Sequence, residues 1–181
     1  MEFQQQSIPD VILIKPQVFG DARGYFFESW EARKFAAAGL DVTFVQDNYS
    51  RSVEHTLRGL HYQIQRPQGK LVRVIAGEVF DVAVDMRKSS PTFGRAVTAI
   101  LSADNKQQLW IPPGFAHGFY VLSASAEFFY KCTDFYVPEH ERTLRWDDPA
   151  LGIAWPLRGA APLLSPKDQK GKPLADVDCF P

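Results

Sequence analysis

Four short polar clusters interrupt a strand-rich sequence, and each holds residue types able to move a proton or hold a negative charge. The first is Leu57-Arg58-Gly59-Leu60-His61-Tyr62-Gln63. Arg58 and His61 stand three apart, so a regular strand would send them to opposite faces. Gly59 between them can mark a bulge that changes this. The second cluster is Pro67-Gln68-Gly69-Lys70-Leu71-Val72-Arg73-Val74, with Lys70 opening an apolar run. The third, Pro112-Pro113-Gly114-Phe115-Ala116-His117-Gly118-Phe119, places His117 at a Pro-Gly turn entering an apolar strand. The fourth, Leu164-Ser165-Pro166-Lys167-Asp168, lies in a proline-broken tail. Plainer readings stand beside these: an exposed Arg with a hydrogen-bonded strand His, a solvated edge Lys, and surface coil. His117 stands open between core and pocket. Tyr130, in Glu127-Phe128-Phe129-Tyr130-Lys131, is a phenol with reference pKa ~10 and so a donor at neutral pH, or simply a structural strand aromatic.

The elements that must position these groups are mostly strands. Strand signals fall at Val11–Ile14, Gly24–Ser29, Val42–Gln46, Thr56–Tyr62, Lys70–Ile75, Val79–Asp85, Arg95–Leu101, Gln108–Ile111, His117–Leu122 and Glu127–Tyr136. Gly, Pro, Ser, Asn and Asp turns separate them. Short strands at a spacing of roughly ten residues predict an antiparallel sandwich or barrel. Glu31–Ala38 is the one good helix signal, stopped by Gly39. From Trp155 onward Pro156, Pro162, Pro166, Pro173 and Pro181 break any regular element, which predicts a coil tail over residues 155–181.

The chain's 181 residues predict one domain, at roughly 150 residues per domain. Lys plus Arg (20) nearly balances Asp plus Glu (21), which speaks against a general nucleic-acid binder. A small anionic ligand stays open, because two or three local arginines suffice. No apolar run approaches the ~20 residues that cross a bilayer, and Met1–Ser7 has neither a basic nor an apolar stretch, so a cytoplasmic protein is expected. Cys132 and Cys179 frame no CxxC or Cys/His cluster and read as free thiols.

Pro112-Pro113-Gly114-Phe115-Ala116-His117 resembles the second metal motif of cupin jelly rolls, P-x-G-x2-H. The first cupin motif fits only in part. His61 stands at the first ligand place, but Gln63 replaces the second His, and Lys70, seven before Gly77, takes the place of the metal-binding Glu. A cation there repels a metal ion, so a metal-free site is expected. A fixed ammonium beside a His suggests its own chemistry. The ammonium can hold a developing enolate oxygen, and neutral His can take the proton from the carbon beside the carbonyl.

The chain as a whole resembles the dTDP-4-dehydrorhamnose 3,5-epimerases. The resemblance rests on Val18–Gly24, Phe44–Asn48, Leu57–Gln63, Gln68–Arg73, Gly77–Arg87, Ser90–Gly94, Trp110–Phe119 and Leu164–Asp168, and runs from about Ile8 to Gln169. It implies a cupin-type double-stranded β-helix with few helices. It also implies an isomerase that inverts C3 and C5 of dTDP-4-dehydro-6-deoxy-α-D-glucose to give dTDP-4-dehydro-β-L-rhamnose, without a cofactor. By this resemblance His61 is the proton acceptor with Asp168 as its dyad partner, so the coil tail closes the site. Tyr130 is the donor and Lys70 holds the C4 oxygen. Arg58 and His117 contact sugar and phosphates, Gln46, Asp47 and Asn48 line the nucleotide side, Tyr136 stacks on the thymine, and Glu141 and Lys167 are further contacts. Arg23 and Glu28 match residues that bind nucleotide across a homodimer interface. No nucleic-acid or membrane partner is implied.

Three other readings remain at this stage: a metal-dependent cupin, a mono-epimerase inverting C3 or C5 alone, and a non-enzymatic sugar binder. Gln63 and Lys70 weigh against the first. The last has no need of His61, Lys70, Tyr130 and Asp168 together.

Overall fold

A computed structural model describes all 181 residues. Thirteen strands form: β1 (Glu2–Gln5), β2 (Ile12–Lys15), β3 (Val18–Asp21), β4 (Gly24–Phe27), β5 (Gln46–Val53), β6 (Leu57–Gln63), β7 (Lys70–Ala76), β8 (Glu78–Asp85), β9 (Ala96–Ser102), β10 (Gln108–Ile111), β11 (Phe115–Val121), β12 (Ser125–Cys132) and β13 (Glu141–Thr143). Two antiparallel sheets pack face to face, as the strand spacing predicts. One runs β1-β2-β10-β7-β12-β5 and the other β13-β6-β11-β8-β9. The hairpin β3-β4 stands apart, with Phe19, Tyr25 and Phe26 more than half exposed.

The main core fills the space between the sheets with Val72, Val74, Ala83, Leu109, Val121 and Phe128 among its members. Two smaller cores cover the outer faces. On the six-stranded sheet, the helix α1 (Ala32–Ala37) buries Phe35 against Ile12, Ile14, Leu71 and Trp110. Glu31 caps that helix, accepting from the Arg33 and Lys34 amides. Lys34 is followed by the turn through Gly39, whose φ of 86° is the left-handed conformation that glycine adopts without strain.

Residues 155–181 form no strand, but the expectation of coil throughout needs one correction: Asp168–Lys170, in the stretch between Pro166 and Pro173, makes a single 3-10 turn, and the whole tail is pinned. Leu163 bridges to Thr56, Lys172 to Leu144 and Phe180 to Arg87. Trp155, Leu174, Val177 and Phe180 pack on Tyr62, Val82 and Val84 of the five-stranded sheet. The tail thus replaces a second layer on that sheet's outer face, and this burial holds a long coil in place. No helix is long and apolar enough to cross a membrane. Cys132 and Cys179 are unpaired.

Two strand expectations need correction. Val42–Gln46 is coil up to Val45, and the strand is Gln46–Val53 instead. Its apolar alternation is missing because every second residue faces a polar cavity, not a core. The run Glu127–Tyr136 leaves the sheet after Cys132, where Thr133 turns the chain and its hydroxyl accepts from the Gly69 amide at 2.8 Å.

Candidate active site

The cavity, about 520 Å³, opens between the two sheets and is bounded by the tail. β6 supplies Arg58 and His61 to the same cavity, against the simple alternation of a strand. The register explains it. His61 pairs with His117, whereas Arg58 pairs with Phe119, so three steps on β6 match two on β11. This is a bulge. Gly59, with φ of 121°, permits it: a Cβ there would lie 2.6 Å from the Gly118 Cα. A Cβ on Gly118 would in turn lie 2.4 Å from the Arg58 carbonyl oxygen. The two glycines therefore let the strands touch, and no side chain fits between them.

Asp168 reaches the bulge from the tail. Its Oδ1 lies 2.6 Å from His61 Nε2, and its Oδ2 accepts from the Ser165 hydroxyl at 2.7 Å. Burial works against the Asp168 charge, but the hydrogen bonds from His61 and Ser165 outweigh it and hold the carboxyl below its usual range. His61 goes the same way for another cause. Burial of the ring favours the neutral form more than Asp168 favours the imidazolium, so its pKa falls below the ordinary value.

Lys70 opens β7 on the facing sheet and is buried. It makes no ion pair, and its one hydrogen bond is donated to the His61 carbonyl oxygen at 3.4 Å. Burial lowers its pKa, opposed by the neighbouring Cys132, Glu141 and Asp81. Tyr130, two places before Cys132 on β12, has its phenol pushed up to about 12, chiefly by burial. His61 and Tyr130 thus approach the cavity from opposite sheets, one poised to accept a proton and the other to keep one.

The rest of the wall is built from further polar side chains on both sheets and at the rim. His117, on β11, sends Nε2 to both oxygens of Asp81 at 3.0 and 3.1 Å, and its ring stacks on Phe128. Arg58 Nε donates to Ser52 at 2.9 Å. At the rim, Glu141 accepts from Lys167 Nζ at 2.8 Å and from the Tyr136 hydroxyl at 3.0 Å. Gln46 and Asn48 line the cavity from β5.

Three expected site residues lie elsewhere in the chain. Asp47 alternates to the opposite face of β5 from Gln46 and Asn48, and there it pairs with Lys131 at 2.8 Å. It is not part of this cavity's wall. Arg23 and Glu28 sit at the exposed hairpin and its exit, where Arg23 pairs with Asp21 and Glu28 with Lys34. Neither reaches the cavity of its own chain. Gln63 turns away too: its amide holds Arg66 O, Phe135 O and the Val137 amide. It cannot serve as the ligand that its cupin-motif position would supply.

Sequence reasoning missed Asp81 and Ser165. A lone acid inside Val79-Phe80-Asp81-Val82-Ala83-Val84 was a usable signal, because a carboxylate in an apolar strand needs a partner. Ser165 three before Asp168 carries the spacing of a local side-chain turn, and Asp168 N donates back to Ser165 Oγ at 3.2 Å.

A protein-family profile described as dTDP-4-dehydrorhamnose 3,5-epimerase matches residues 5–176. The chain is 63% identical over 182 residues to the dTDP-4-dehydrorhamnose 3,5-epimerase of Pseudomonas aeruginosa, covering 100% of both chains. Its fold superposes with a TM-score of 0.95 on the dTDP-6-deoxy-D-glucose-3,5-epimerase of Legionella pneumophila in complex with dTDP-4-keto-L-rhamnose, at 55% identity, covering 98% of this chain and 94% of that one. It is also similar to a 3'-monoepimerase from Streptomyces bikiniensis in complex with dTDP-quinovose, with TM-score 0.88, 34% identity and coverage of 93% and 86%. Matched along nearly its full length in sequence and in structure, the chain belongs to the dTDP-4-dehydrorhamnose 3,5-epimerase family.

Proposed function

We propose that the cavity takes dTDP-4-dehydro-6-deoxy-α-D-glucose and inverts C3 and C5 to give dTDP-4-dehydro-β-L-rhamnose, an isomerisation in the biosynthesis of dTDP-L-rhamnose. One observation carries the reading: His61, hydrogen-bonded to the Asp168 carboxylate, and the Tyr130 phenol line one cavity from opposite sheets, with the Lys70 ammonium, free of any ion pair, beside them. His61 removes the proton from a carbon next to the C4 ketone. The C–H electron pair moves into the ring and onto the C4 oxygen, and Lys70 holds the resulting enolate. Asp168 stabilises the imidazolium. Tyr130 delivers its proton to the opposite face of the same carbon as the carbonyl re-forms. Solvent then returns His61 and Tyr130 to their starting states. C3 and C5 both flank C4, so the same groups serve each in turn.

Arg58 and His117 contact the sugar and phosphates in this reading, and Tyr136 stacks on the thymine with Glu141 and Lys167 bracing that rim. Arg23 and Glu28 would reach the nucleotide only from a second copy. The exposed Phe19, Tyr25 and Phe26 on the same hairpin suit a homodimer interface. Two unpaired cysteines agree with a cytoplasmic location.

Proton NMR of the 4-keto sugar in D2O tests the reaction. Deuterium is expected at both C3 and C5. Exchange at a single carbon would make this a mono-epimerase, and no exchange would refute the reading. Sedimentation together with Arg23→Ala tests the shared site: a fully active monomer would remove it.

A further inference from the structure

The wall beside Lys70 contains a directed chain of hydrogen bonds. Gln46, Cys132 and Lys70 are register partners across β5, β12 and β7, so their side chains share the sheet face that looks toward the cavity. Asn48 and Tyr130 form the next rung on that face. The chain begins at the Tyr136 backbone N–H, which can only donate, and which donates to Gln46 Oε1 at 2.9 Å. That fixes the Gln46 amide, so its Nε2 donates to Asn48 Oδ1 at 3.1 Å. Asn48 is fixed in turn, and its Nδ2 donates to the Cys132 sulfur at 3.5 Å. Turning either amide over would set N–H against N–H or oxygen against oxygen.

The chain has two consequences. Each amide NH₂ spends one hydrogen inside the chain and keeps the other, so Gln46 and Asn48 present donors to a cavity whose proposed ligand is rich in acceptor oxygens. The chain also links Tyr136, at the nucleotide end, to the sulfur next to Lys70, at the reacting end. Cys132 is fully buried and is not among the residues that line the cavity. Its hydrogen bond to the cavity wall is the one it accepts from Asn48.

We propose that the run from Tyr136 through Gln46 and Asn48 to Cys132 is a positioning device for the nucleotide, with the Cys132 sulfur as its terminal acceptor. This rests on the nucleotide-sugar reading above. Cys132→Val removes the acceptor at similar size, whereas Cys132→Ser keeps one. In the full-length protein, Cys132→Val is expected to raise KM for the sugar nucleotide, and Kd for dTDP by calorimetry, about fivefold, the usual effect of losing one hydrogen bond. KM and Kd should change by a larger factor than kcat, because Cys132 meets the cavity wall through Asn48 and touches no reacting atom. Cys132→Ser should bind dTDP nearly as wild type does. If Cys132→Val does not fold, Cys132→Ala removes the same acceptor and is read in the same way. Wild-type KM and Kd without the acceptor would overturn the proposal, as would a serine variant as impaired as the valine one. Failure of the function reading looks different: the wild-type protein would exchange no sugar protons, whatever the variants do to dTDP affinity.

Discussion

Two His–Asp pairs face each other across the register of β6 and β11, and they are built differently. In the first, Asp168 lies 107 residues from His61 in sequence and comes from a short 3-10 turn (Asp168–Lys170) in the tail, outside either sheet. In the second, Asp81 and His117 sit on neighbouring strands of one sheet. Asp168 takes donors from His61, Ser165 and the Gly59 amide, and the His61 side chain keeps 22% of its surface open. Asp81 has the His117 ring alone, its two oxygens sharing one nitrogen, and it is fully buried. The same two residue types therefore yield an accessible base with a well-supported carboxylate and a fixed wall. A sheet can hold a ring still, but the open geometry of a base needs its partner brought in from outside the sheet.

Removing the first pair's imidazole should have the largest effect. His61→Ala is expected to lower the rate of C3 and C5 exchange by roughly 10²–10⁴-fold, the range for a general base, with dTDP affinity little changed. Exchange at the wild-type rate in D2O would remove His61 as the base. Asp168→Asn should come next, losing about 10²-fold or more in kcat, because the amide cannot stabilise the imidazolium. Asp81→Asn should act mainly on KM, by about tenfold, through a displaced His117 ring. The comparison breaks if Asp81→Asn costs more kcat than Asp168→Asn.

The pH profile sharpens the contrast further. His61 acts as a base only without its proton, and burial holds its pKa below the ordinary ~6.5. The acid limb of kcat/KM should therefore fall below that value, with full activity already present at pH 7. Lys70 must stay charged to hold an enolate, and burial lowers its pKa from the usual lysine range. The alkaline limb should follow Lys70, and so precede Tyr130 at about 12. A plateau beginning well above pH 7 would mean that the site raises the His61 pKa instead of lowering it, and activity lost as pH rises through 7 would mean that His61 works as the imidazolium.

How much of this was legible in the sequence follows from the same physics. The sandwich was legible wherever strands face a core, as in Lys70–Ile75 and Val79–Asp85. β5 was hidden because Gln46, Asn48 and Ser50 face the cavity, which erases the apolar alternation. Arg58 and His61 looked opposed until the Gly59–Gly118 contact shifted the register, though Gly59 itself signalled the shift. No local pattern connects Asp168 to His61. Only the family resemblance proposed that pairing, because a coil is placed by what it covers, here the face bearing Tyr62 and Val82. Asp47 shows the converse, since three consecutive residues on a strand cannot all face one cavity.

Asp85 provides the control with the smallest effect on activity. It lies on β8 four residues beyond Asp81 and is equally buried. It is nevertheless fully satisfied, accepting from Arg87, Ser90 and Thr92. Burial opposes its charge, but these donors prevail and its pKa falls to about 2. The stability it contributes is complete above the unfolded carboxyl pKa and is lost as pH falls from there through about 2. Asp85→Ala leaves the Arg87 guanidinium with the exposed Asp10 alone, and breaking such a pair costs about 3 kcal/mol. At this chain length that lowers Tm by roughly 6–12 °C. The exchange rate per folded molecule should stay near wild type, because no group of the cavity depends on Asp85. If Asp85→Ala kept its Tm but lost exchange, β8 would transmit to the site through its backbone, and the KM effect expected of Asp81→Asn would no longer identify a direct hold on His117.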